Sequence, residues 1–190
     1  SSRRGFAVFR DRQDAGRQLA GLLVPLGLAD PVVIALPRGG VPVGVEVAAV
    51  LGAPLDVLVA RKLGAPHHPE YGIGAIAEGG VLVVTDGALR ALGISSRQLA
   101  RIRRGEEAEL GRRVRQYRGD RPMVRVRGRD VVLVDDGLAT GVTASAAVEA
   151  LRAMAPNRIV LAVPVASPDT AARFESLVED VVCVARPQGF

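Results

Sequence analysis

The residues with the clearest chemical use lie in segment 131–151, which reads VVLVDDGLATGVTASAAVEAL. An apolar, strand-like run ends there in two adjacent carboxylates, Asp135 and Asp136, and a loop of small residues then leads into a helical stretch. The amides of such a loop and the positive end of the following helix bind anions, and small side chains let a phosphate approach the backbone. Thr140 and Thr143 add hydroxyl donors. The pattern predicts a phosphate-binding loop.

The two carboxylates favour a sugar phosphate as the ligand. Just before the loop, they can accept hydrogen bonds from sugar hydroxyls or attract a hydrated magnesium ion. The loop lacks the lysine of the GxxxxGK[ST] motif that binds nucleoside triphosphates, which disfavours a kinase or an ATPase. A purely structural alternative is a strand that ends in solvated carboxylates and is followed by a helix capped by threonine. It explains the acidic pair alone or the threonine-bearing loop alone, but it explains the two together less well.

A second candidate loop follows the strand-like run at 32–36. There Pro37 and Arg38 precede two glycines, Gly39 and Gly40, and a helical stretch. Glycines permit unusual backbone torsions and expose amides, while arginine supplies positive charge, so the turn could bind a pyrophosphate. Glycine in a strand-to-helix turn is also common for geometric reasons, and both interpretations stay open at this point.

A third candidate is segment 60–80, which reads ARKLGAPHHPEYGIGAIAEGG. Arg61 and Lys62 stand at a strand end before a stretch that contains glycine and proline, a pattern typical of a mobile cover with cations at its root. A surface loop with incidental charges explains the same residues about as well.

Three further patterns in this segment carry less weight. His67 and His68 are adjacent, with no second ligand at a metal-binding spacing, so a metal site is not expected. The GxGxxA pattern at 72–77 follows no long strand and precedes no clear helix, which argues against a dinucleotide site. Glu78 could approach an acceptor or end a turn, and we favour the structural role.

The elements that must position these loops indicate an α/β fold. Six apolar runs are rich in β-branched residues and continuous rather than alternating, which predicts a mainly parallel central sheet flanked by helices. Helical stretches separate the strands, and ligands of such sheets bind at the carboxyl ends of the strands. The strand runs are 32–36, 56–60, 81–84, 131–135, 158–163 and 180–184, and the helical stretches are 14–26, 41–51, 141–154 and 168–177.

The region at about 86–122 is predicted to be a helical insertion in a single domain that spans residues 1–190. Residues 96–117 can form a long amphipathic helix, which Ser95 or Ser96 caps. Its apolar side would pack on the sheet or on a partner subunit, and its arginines would face solvent. Nucleic-acid binding by this arginine-rich helix is the less favoured alternative.

The composition and net charge of the chain favour some classes of protein function over others. A net charge of +5 favours an anionic ligand, and a 3% aromatic content weighs against a protein that stacks nucleobases on aromatic side chains. The single Cys183 excludes an internal disulfide and suits a reducing compartment. No apolar run is long enough to span a membrane, and residues 1–4 are not followed by the apolar segment of a secretion signal. We therefore expect a cytoplasmic protein with no membrane partner.

The segment around Asp135 and Asp136 closely resembles the phosphoribosyl pyrophosphate signature of type I phosphoribosyltransferases, in which a hydrophobic strand runs into two acidic residues and a Thr/Gly-rich loop. The resemblance extends from FRDRQDAGRQLA to VCVARP and is closest to stand-alone bacterial proteins described as predicted phosphoribosyltransferases. It implies the fold of that family, with a small variable hood, and it implies that the two aspartates hold the ribose hydroxyls. The residues expected to line the phosphate site are Gly137, Ala139, Thr140, Gly141, Val142 and Thr143.

The resemblance also assigns the other two loops. The turn that contains Arg38, Gly39 and Gly40 would bind the pyrophosphate. The pair Arg61 and Lys62 would open a flexible loop that meets the pyrophosphate as it closes. The expected catalytic residues are therefore Lys62, Arg61 and Asp136.

The implied reaction moves a phosphoribosyl group from phosphoribosyl pyrophosphate to a small nitrogenous acceptor, such as a nucleobase or a related heterocycle, and releases pyrophosphate. Mg²⁺ is the implied cofactor, and Asp135 and Asp136 would contact it indirectly, through water or the ribose hydroxyls. We expect a homodimer and no nucleic-acid partner. The alternative is a non-catalytic sensor of phosphoribosyl pyrophosphate that binds nucleic acid, although no helix-turn-helix module is evident.

Overall fold

A computed structural model of the chain describes residues 9–189. Within this range the chain forms two compact units. The first contains residues 9–57, 124–141 and 154–189, and the second contains residues 58–123 and 142–153. Residues 1–4, considered above for a secretion signal, lie outside the described residues. No helix of this part of the chain is both long enough and apolar enough to cross a bilayer.

Six α-helices and eight strands make up the described part of the chain. The helices are α1 (Arg12–Leu23), α2 (Gly40–Leu51), α3 (Ala88–Ala91), α4 (Ser96–Arg118), α5 (Val142–Arg152) and α6 (Pro168–Phe174), and a 3-10 turn, Val24–Leu26, follows α1. The strands are β1 (Val32–Ala35), β2 (Leu55–Val57), β3 (Ala60–Ala65), β4 (His68–Ala77), β5 (Val81–Val84), β6 (Asp130–Val134), β7 (Arg158–Val165) and β8 (Asp180–Ala185). Every helical stretch predicted from the sequence is present, with its ends shifted by a few residues.

The first unit is built on a five-stranded parallel sheet in the order β2-β1-β6-β7-β8. Strands β1 and β6 are buried along their whole length, as their continuous apolar runs predict. One apolar core joins this sheet to the first two helices and includes Leu19, Leu23, Val43 and Val47. The predicted α/β class, with a mainly parallel sheet flanked by helices, is confirmed.

The second unit is built on a three-stranded antiparallel sheet in the order β3-β4-β5. Its apolar core includes Leu63, Ile73, Ile76 and Leu110. Two expectations are wrong here. The run at 81–84 belongs to this antiparallel sheet and not to the parallel one, and segment 60–80 forms a β-hairpin instead of an open loop.

Strand β4 is not predicted from the sequence because its residues do not form an apolar run. Its first five residues are exposed, and it contains Pro69, Gly72 and Gly74, which are all disfavoured in strands. Close backbone packing accounts for one of these glycines, since a Cβ on Gly74 would lie 2.0 Å from the carbonyl oxygen of Val83 in β5. The hairpin therefore depends on contacts between strands that no local pattern reveals.

The predicted strand at 56–60 is divided between the two sheets. β2 ends at Val57 in the first unit, and β3 begins at Ala60 in the second. The buried carboxylate of Asp56 accepts the N–H groups of Val57 and Val124, each at 2.8 Å. Because all three residues belong to the first unit, Asp56 fixes the place where the chain leaves that unit and returns to it.

Helix α4 of the second unit is fixed at both ends. A capping box at its start pairs Ser95 with Gln98. Near its end Arg118 forms a two-point ion pair with Glu78, in which the two side chains are 6% and 10% exposed. Glu78 also accepts the N–H of Val59 at 2.7 Å, so this glutamate ties α4 to the hairpin.

A buried carboxylate holds the amino end of the central strand β6. Asp130 is 2% exposed and accepts hydrogen bonds from the N–H of Ala29 at 2.7 Å, from Asn157 at 2.6 Å and from Arg158 at 3.1 Å. Burial acts to raise the pKa of Asp130, but the hydrogen bonds from these three residues outweigh it, and the pKa lies below its ordinary value. The ionised carboxylate is therefore the form that the fold stabilises.

We expect Asp130→Asn to lower the free energy of unfolding at neutral pH by about 2–3 kcal/mol, because Arg158 loses the buried one of its two carboxylate partners and keeps only Asp180 at 3.5 Å. Since the pKa of Asp130 is lower in the folded state, its contribution is fully present above about pH 4 and is lost as the pH falls through the folded-state value. Urea unfolding at about pH 7 and about pH 3 measures both effects, and the difference between wild type and variant should shrink at the lower pH. An equal difference at both values, or the same loss in the exposed control Asp120→Asn, would contradict the prediction.

Candidate active site

The turn between β1 and α2 carries the exposed Arg38, and the Pro37–Arg38 peptide bond is cis. Hydrogen bonds close the turn from the N–H of Gly40 to the carbonyl of Leu36 at 3.0 Å and from the N–H of Val41 to the carbonyl of Arg38 at 3.1 Å. The first turn of α2 contains no acidic residue, so no side chain of that turn offsets the positive end of the helix dipole. The turn therefore combines a guanidinium with a helix amino end, and both attract anions.

The two glycines of this turn lie directly against the end of β6. A Cβ on Gly39 would lie 2.1 Å from Oδ2 of Asp136, and a Cβ on Gly40 would lie 2.7 Å from the carbonyl oxygen of Val134. Neither glycine has a positive φ, so close contact and not backbone conformation excludes a side chain here. The cationic turn and the acidic pair, predicted as separate loops, are neighbours within the first unit.

The two carboxylates differ in their exposure to solvent. Asp135 is half-buried, and its Oδ1 accepts the N–H of Asp136 at 2.8 Å. The side chain of Asp136 is 41% exposed, and its Oδ2 accepts a hydrogen bond from Arg12 of α1 at 3.3 Å. Arg12 thus contacts the predicted site although no motif singles it out.

The loop that follows the acids is attached to the neighbouring strand β7. Leu138 is buried, donates its N–H to the carbonyl of Val165 and accepts the N–H of Ser167, both at 2.9 Å. It also forms a short parallel bridge with Ala166. One apolar side chain therefore anchors the loop, and the two residues after it are exposed.

Helix α6 holds the next part of the loop through its carbonyl groups. The buried Thr170 donates its hydroxyl to the carbonyl of Ala139, and Arg173 donates to the carbonyl of Thr140. Gly141 has a φ of +76°, and a Cβ there would lie 3.0 Å from Cγ2 of Thr170. The sequence does not identify Thr170 and Arg173 as residues that position the loop. The Ser-Pro pair before them predicts only the start of a helix. No local pattern shows that this helix contacts the loop.

The other predicted site residues belong to the second unit. Val142 and Thr143 are the first two residues of α5, and Arg61 and Lys62 lie on β3. As neighbours along a strand, Arg61 and Lys62 point to opposite faces of the sheet. The Nε of Arg61 lies 2.7 Å from the carboxylate of Glu106, whereas Lys62 is exposed to solvent.

The fold and these loops together define a domain of the phosphoribosyltransferase kind. The sequence model of the phosphoribosyl transferase domain family matches residues 13–186. This chain therefore belongs to the phosphoribosyl transferase domain family, and the family predicted from the sequence is confirmed.

Known relatives and solved structures agree with this assignment. The protein named "Putative phosphoribosyl transferase Rv0571c", from Mycobacterium tuberculosis strain H37Rv, is 48% identical over 183 residues, which are 96% of this chain and 41% of that protein. The chain thus spans less than half the length of this relative. The crystal structure of TT1426 from Thermus thermophilus is 46% identical, with a TM-score of 0.77 over 96% of this chain and 86% of that one. A purine phosphoribosyltransferase from Pyrococcus horikoshii has the same fold at 19% identity, with a TM-score of 0.51 over 90% of this chain and 81% of that one.

The two glycines of the turn should respond differently to alanine. In Gly40→Ala the new methyl group meets the backbone at Val134, so we expect the free energy of unfolding to fall by about 1–3 kcal/mol. In Gly39→Ala the methyl group meets the end of the Asp136 side chain, which can rotate away, so the change should be below about 1 kcal/mol.

Chemical denaturation of the purified variants distinguishes these two outcomes. Gly21→Ala on α1 is the control, because a Cβ at Gly21 meets nothing within 4 Å. It should leave stability unchanged or raise it by up to about 1 kcal/mol. Equal losses in Gly39→Ala and Gly40→Ala would contradict the packing argument.

Proposed function

We propose that this domain transfers the 5-phosphoribosyl group of phosphoribosyl pyrophosphate to a small nitrogenous acceptor and releases pyrophosphate. The observation that carries the proposal is the contact of Gly39 with Asp136, which puts an arginine-bearing turn beside a carboxylate pair. A sugar with a pyrophosphate on one carbon needs both kinds of group side by side: carboxylates for its hydroxyls, and cations and amides for its phosphates.

The two carboxylates and the two loops of the first unit each bind a different part of the donor, phosphoribosyl pyrophosphate. Asp135 and Asp136 accept hydrogen bonds from the ribose hydroxyls. Arg38 and the amino end of α2 bind the pyrophosphate. The loop at 137–141 receives the 5′-phosphate, and the exposed hydroxyl of Thr140 adds a donor.

Because side chains of α6 bind carbonyl groups of the phosphate loop, the N–H groups of that loop have a defined orientation. The C=O and N–H groups of one trans peptide point in opposite directions. Because Thr170 and Arg173 bind the carbonyls of Ala139 and Thr140, the next N–H groups, those of Thr140 and Gly141, point away from these partners. Two oriented amides are thus ready for a phosphate without reorganisation.

In the reaction, the acceptor nitrogen forms a bond to the anomeric carbon while the bond from that carbon to pyrophosphate breaks. The electron pair of the broken bond leaves with the pyrophosphate oxygen, and the acceptor nitrogen loses its proton to solvent. Arg61 and Lys62 are proposed to neutralise the pyrophosphate as it leaves. Lys62 is the better supported of the two because it is exposed, whereas Arg61 is paired with Glu106 and lies 3.9 Å from Glu109.

Magnesium is the proposed cofactor. Mg²⁺ prefers oxygen ligands and usually keeps several waters, and the 41% exposed carboxylate of Asp136 is accessible to a hydrated ion. Asp135 and Asp136 would hold it through water or the ribose hydroxyls, and the ion would stabilise charge on the pyrophosphate. Among residues 9–189, no three His, Cys, Asp or Glu side chains are grouped so that they could hold a metal ion.

A sensor that binds nucleic acid through α4 has less support. Nucleic-acid affinity depends on cations that neutralise phosphates, but Arg103 is paired with Glu107, and Arg112 and Arg113 are paired with Glu109. Hydrogen bonds from Arg112 and Arg113 lower the pKa of Glu109 to about 2, so this carboxylate is ionised at neutral pH and offsets part of their charge. We also propose a homodimer and a cytoplasmic location, and the single cysteine suits the latter.

Calorimetric titration with phosphoribosyl pyrophosphate, with and without Mg²⁺, tests the donor site. We expect saturable binding that Mg²⁺ strengthens. Asp136→Asn and Arg38→Ala should each weaken binding by about tenfold or more, because each removes charge-assisted hydrogen bonds worth about 1.5–3 kcal/mol. Both side chains are exposed, so the free energy of unfolding should change little.

Matched controls are Asp120→Asn and Arg17→Gln, which alter exposed residues outside the site and should bind as wild type does. No saturable binding by the wild type, or unchanged affinity in both site variants, would overturn the donor-site assignment. Pyrophosphate release that depends on an added nucleobase would then favour the transferase, and binding without release for any nucleobase would favour the sensor.

A further inference from the structure

The two cations at the start of β3, Arg61 and Lys62, have different surroundings within the second unit. We infer that only Lys62 contacts the pyrophosphate, and that Arg61 and Glu106 are positioning residues that hold β3 on α4 so that Lys62 points away from the helix. The inference rests on the proposed function and deepens it, because it divides the work between two cations that the proposed function takes together.

Arg61 lies on the face of β3 that packs against α4. Leu63, two residues further along the strand, shares that face, and so does Ile76, which is directly opposite Arg61 in β4. Both apolar residues are buried in the core of the second unit. Helix α4 contributes Leu99, Ile102, Leu110 and Val114 to the same core. Lys62 therefore belongs to the opposite face of the strand.

Two carboxylates of α4 bind Arg61. Its Nε donates to Oε2 of Glu106 at 2.7 Å, and its Nη1 lies 3.9 Å from Oε1 of Glu109. Because Glu109 also accepts hydrogen bonds from Arg112 and Arg113, Glu106 is the main partner of Arg61. The side chains of Arg61 and Glu106 are 24% and 30% exposed, and salt screens such a part-buried pair less than an exposed one. The ion pair thus continues the apolar contact between strand and helix as a polar clamp.

Lys62 can reach a ligand in a way that Arg61 cannot. It is exposed to solvent, and an ammonium on a flexible stem can follow a leaving group as it moves. To bind pyrophosphate, Arg61 would have to leave Glu106 and turn away from α4. A carboxylate in contact with a cation competes with an incoming anion for it, whereas the same carboxylate is useful in a clamp.

The clamp acts on the residue directly before Lys62, so it restricts the backbone from which Lys62 extends. Positioning of this kind is valuable, because a misplacement of about 1 Å can cost about 100-fold in rate. The two possible roles of Arg61 therefore predict opposite effects for the loss of Glu106. A clamp makes Glu106 helpful to pyrophosphate binding, and a direct contact between Arg61 and pyrophosphate makes Glu106 a competitor.

A ratio of two affinities measures the contact with pyrophosphate. Phosphoribosyl pyrophosphate and ribose 5-phosphate, each with Mg²⁺, are titrated into the purified protein by calorimetry. Because ribose 5-phosphate lacks the pyrophosphate, the ratio of the first affinity to the second isolates the contribution of that group. Lys62→Gln should lower this ratio by about tenfold or more, while the affinity for ribose 5-phosphate stays as in wild type.

Glu106→Gln separates the two roles of Arg61 by the sign of its effect. We expect the ratio to fall by about threefold or more, although the substitution removes a negative charge. Added to Lys62→Gln, it should lower the ratio no further, because the clamp acts through Lys62. Glu107→Gln is the matched control, since it removes the same charge from the next residue of α4, whose partner Arg103 lies on the same helix. It should bind both ligands as wild type does.

Exchange of the two charges is a second test. Arg61→Glu alone sets a carboxylate against Glu106 and Glu109 and should lower the ratio. Combined with Glu106→Arg, it restores an ion pair without restoring a cation at position 61, so we expect most of the ratio to return. Urea unfolding of each variant shows whether it is folded. If the exchanged pair does not fold, the sign of the effect of Glu106→Gln decides alone.

An unchanged or higher ratio in Glu106→Gln, an unchanged ratio in Lys62→Gln, or no recovery in a folded variant with exchanged charges would overturn the inference. Equal affinity of the wild type for the two ligands would also overturn it and would leave the sites for the ribose and the 5′-phosphate intact. Failure of both ligands to bind would overturn the proposed function, and the inference with it.

Discussion

The parallel pairing of β1 with β6 is the constraint on which the rest of the site depends. The two strands are in register up to Ala35 and Val134, and the N–H of Leu36 continues the ladder to the carbonyl of Val134 at 2.9 Å. The chain therefore leaves both strands at the same edge of the sheet, and the two turns collide unless one of them lacks side chains. Gly39 and Gly40 meet that requirement. The spacing of cation and carboxylates is thus set by the sheet, and the loops only supply the groups.

Strand β6 has aspartates at both ends, and their surroundings give them opposite uses. Asp130 is 2% exposed, accepts three hydrogen bonds from protein groups and has a lowered pKa, so its carboxylate stabilises the fold. Asp136 is 41% exposed and contacts Arg12, which is more exposed still, so Asp136 is accessible to a ligand. Access to solvent, and not residue type, therefore separates the structural acid from the acid proposed to bind the donor.

Sequence reasoning succeeds where the signal is local. The run from Asp135 through the small-residue loop, and the glycine turn after Arg38, are contiguous, so their chemistry can be read directly and the family follows from them. The contact between Gly39 and Asp136 and the support of Ala139 by Thr170 join distant parts of the chain, and no single-chain pattern encodes them. Strand β4 is missed for a related reason, because pairing with its neighbours overrides the poor strand propensity of its own residues.

The order of the segments along the chain has a consequence for biosynthesis. The second unit needs residues 58–123 and then 142–153, and the sheet of the first unit needs three strands made after residue 129. On the ribosome, β1 and β2 emerge early, but β1 cannot pair on its second side until β6 follows about 70 residues after β2, which takes several seconds at typical translation rates. During that interval the edge of β1 that β6 will cover lacks its partner strand for backbone hydrogen bonds. The sheet of the first unit can therefore be completed only after every segment of the second unit has been made.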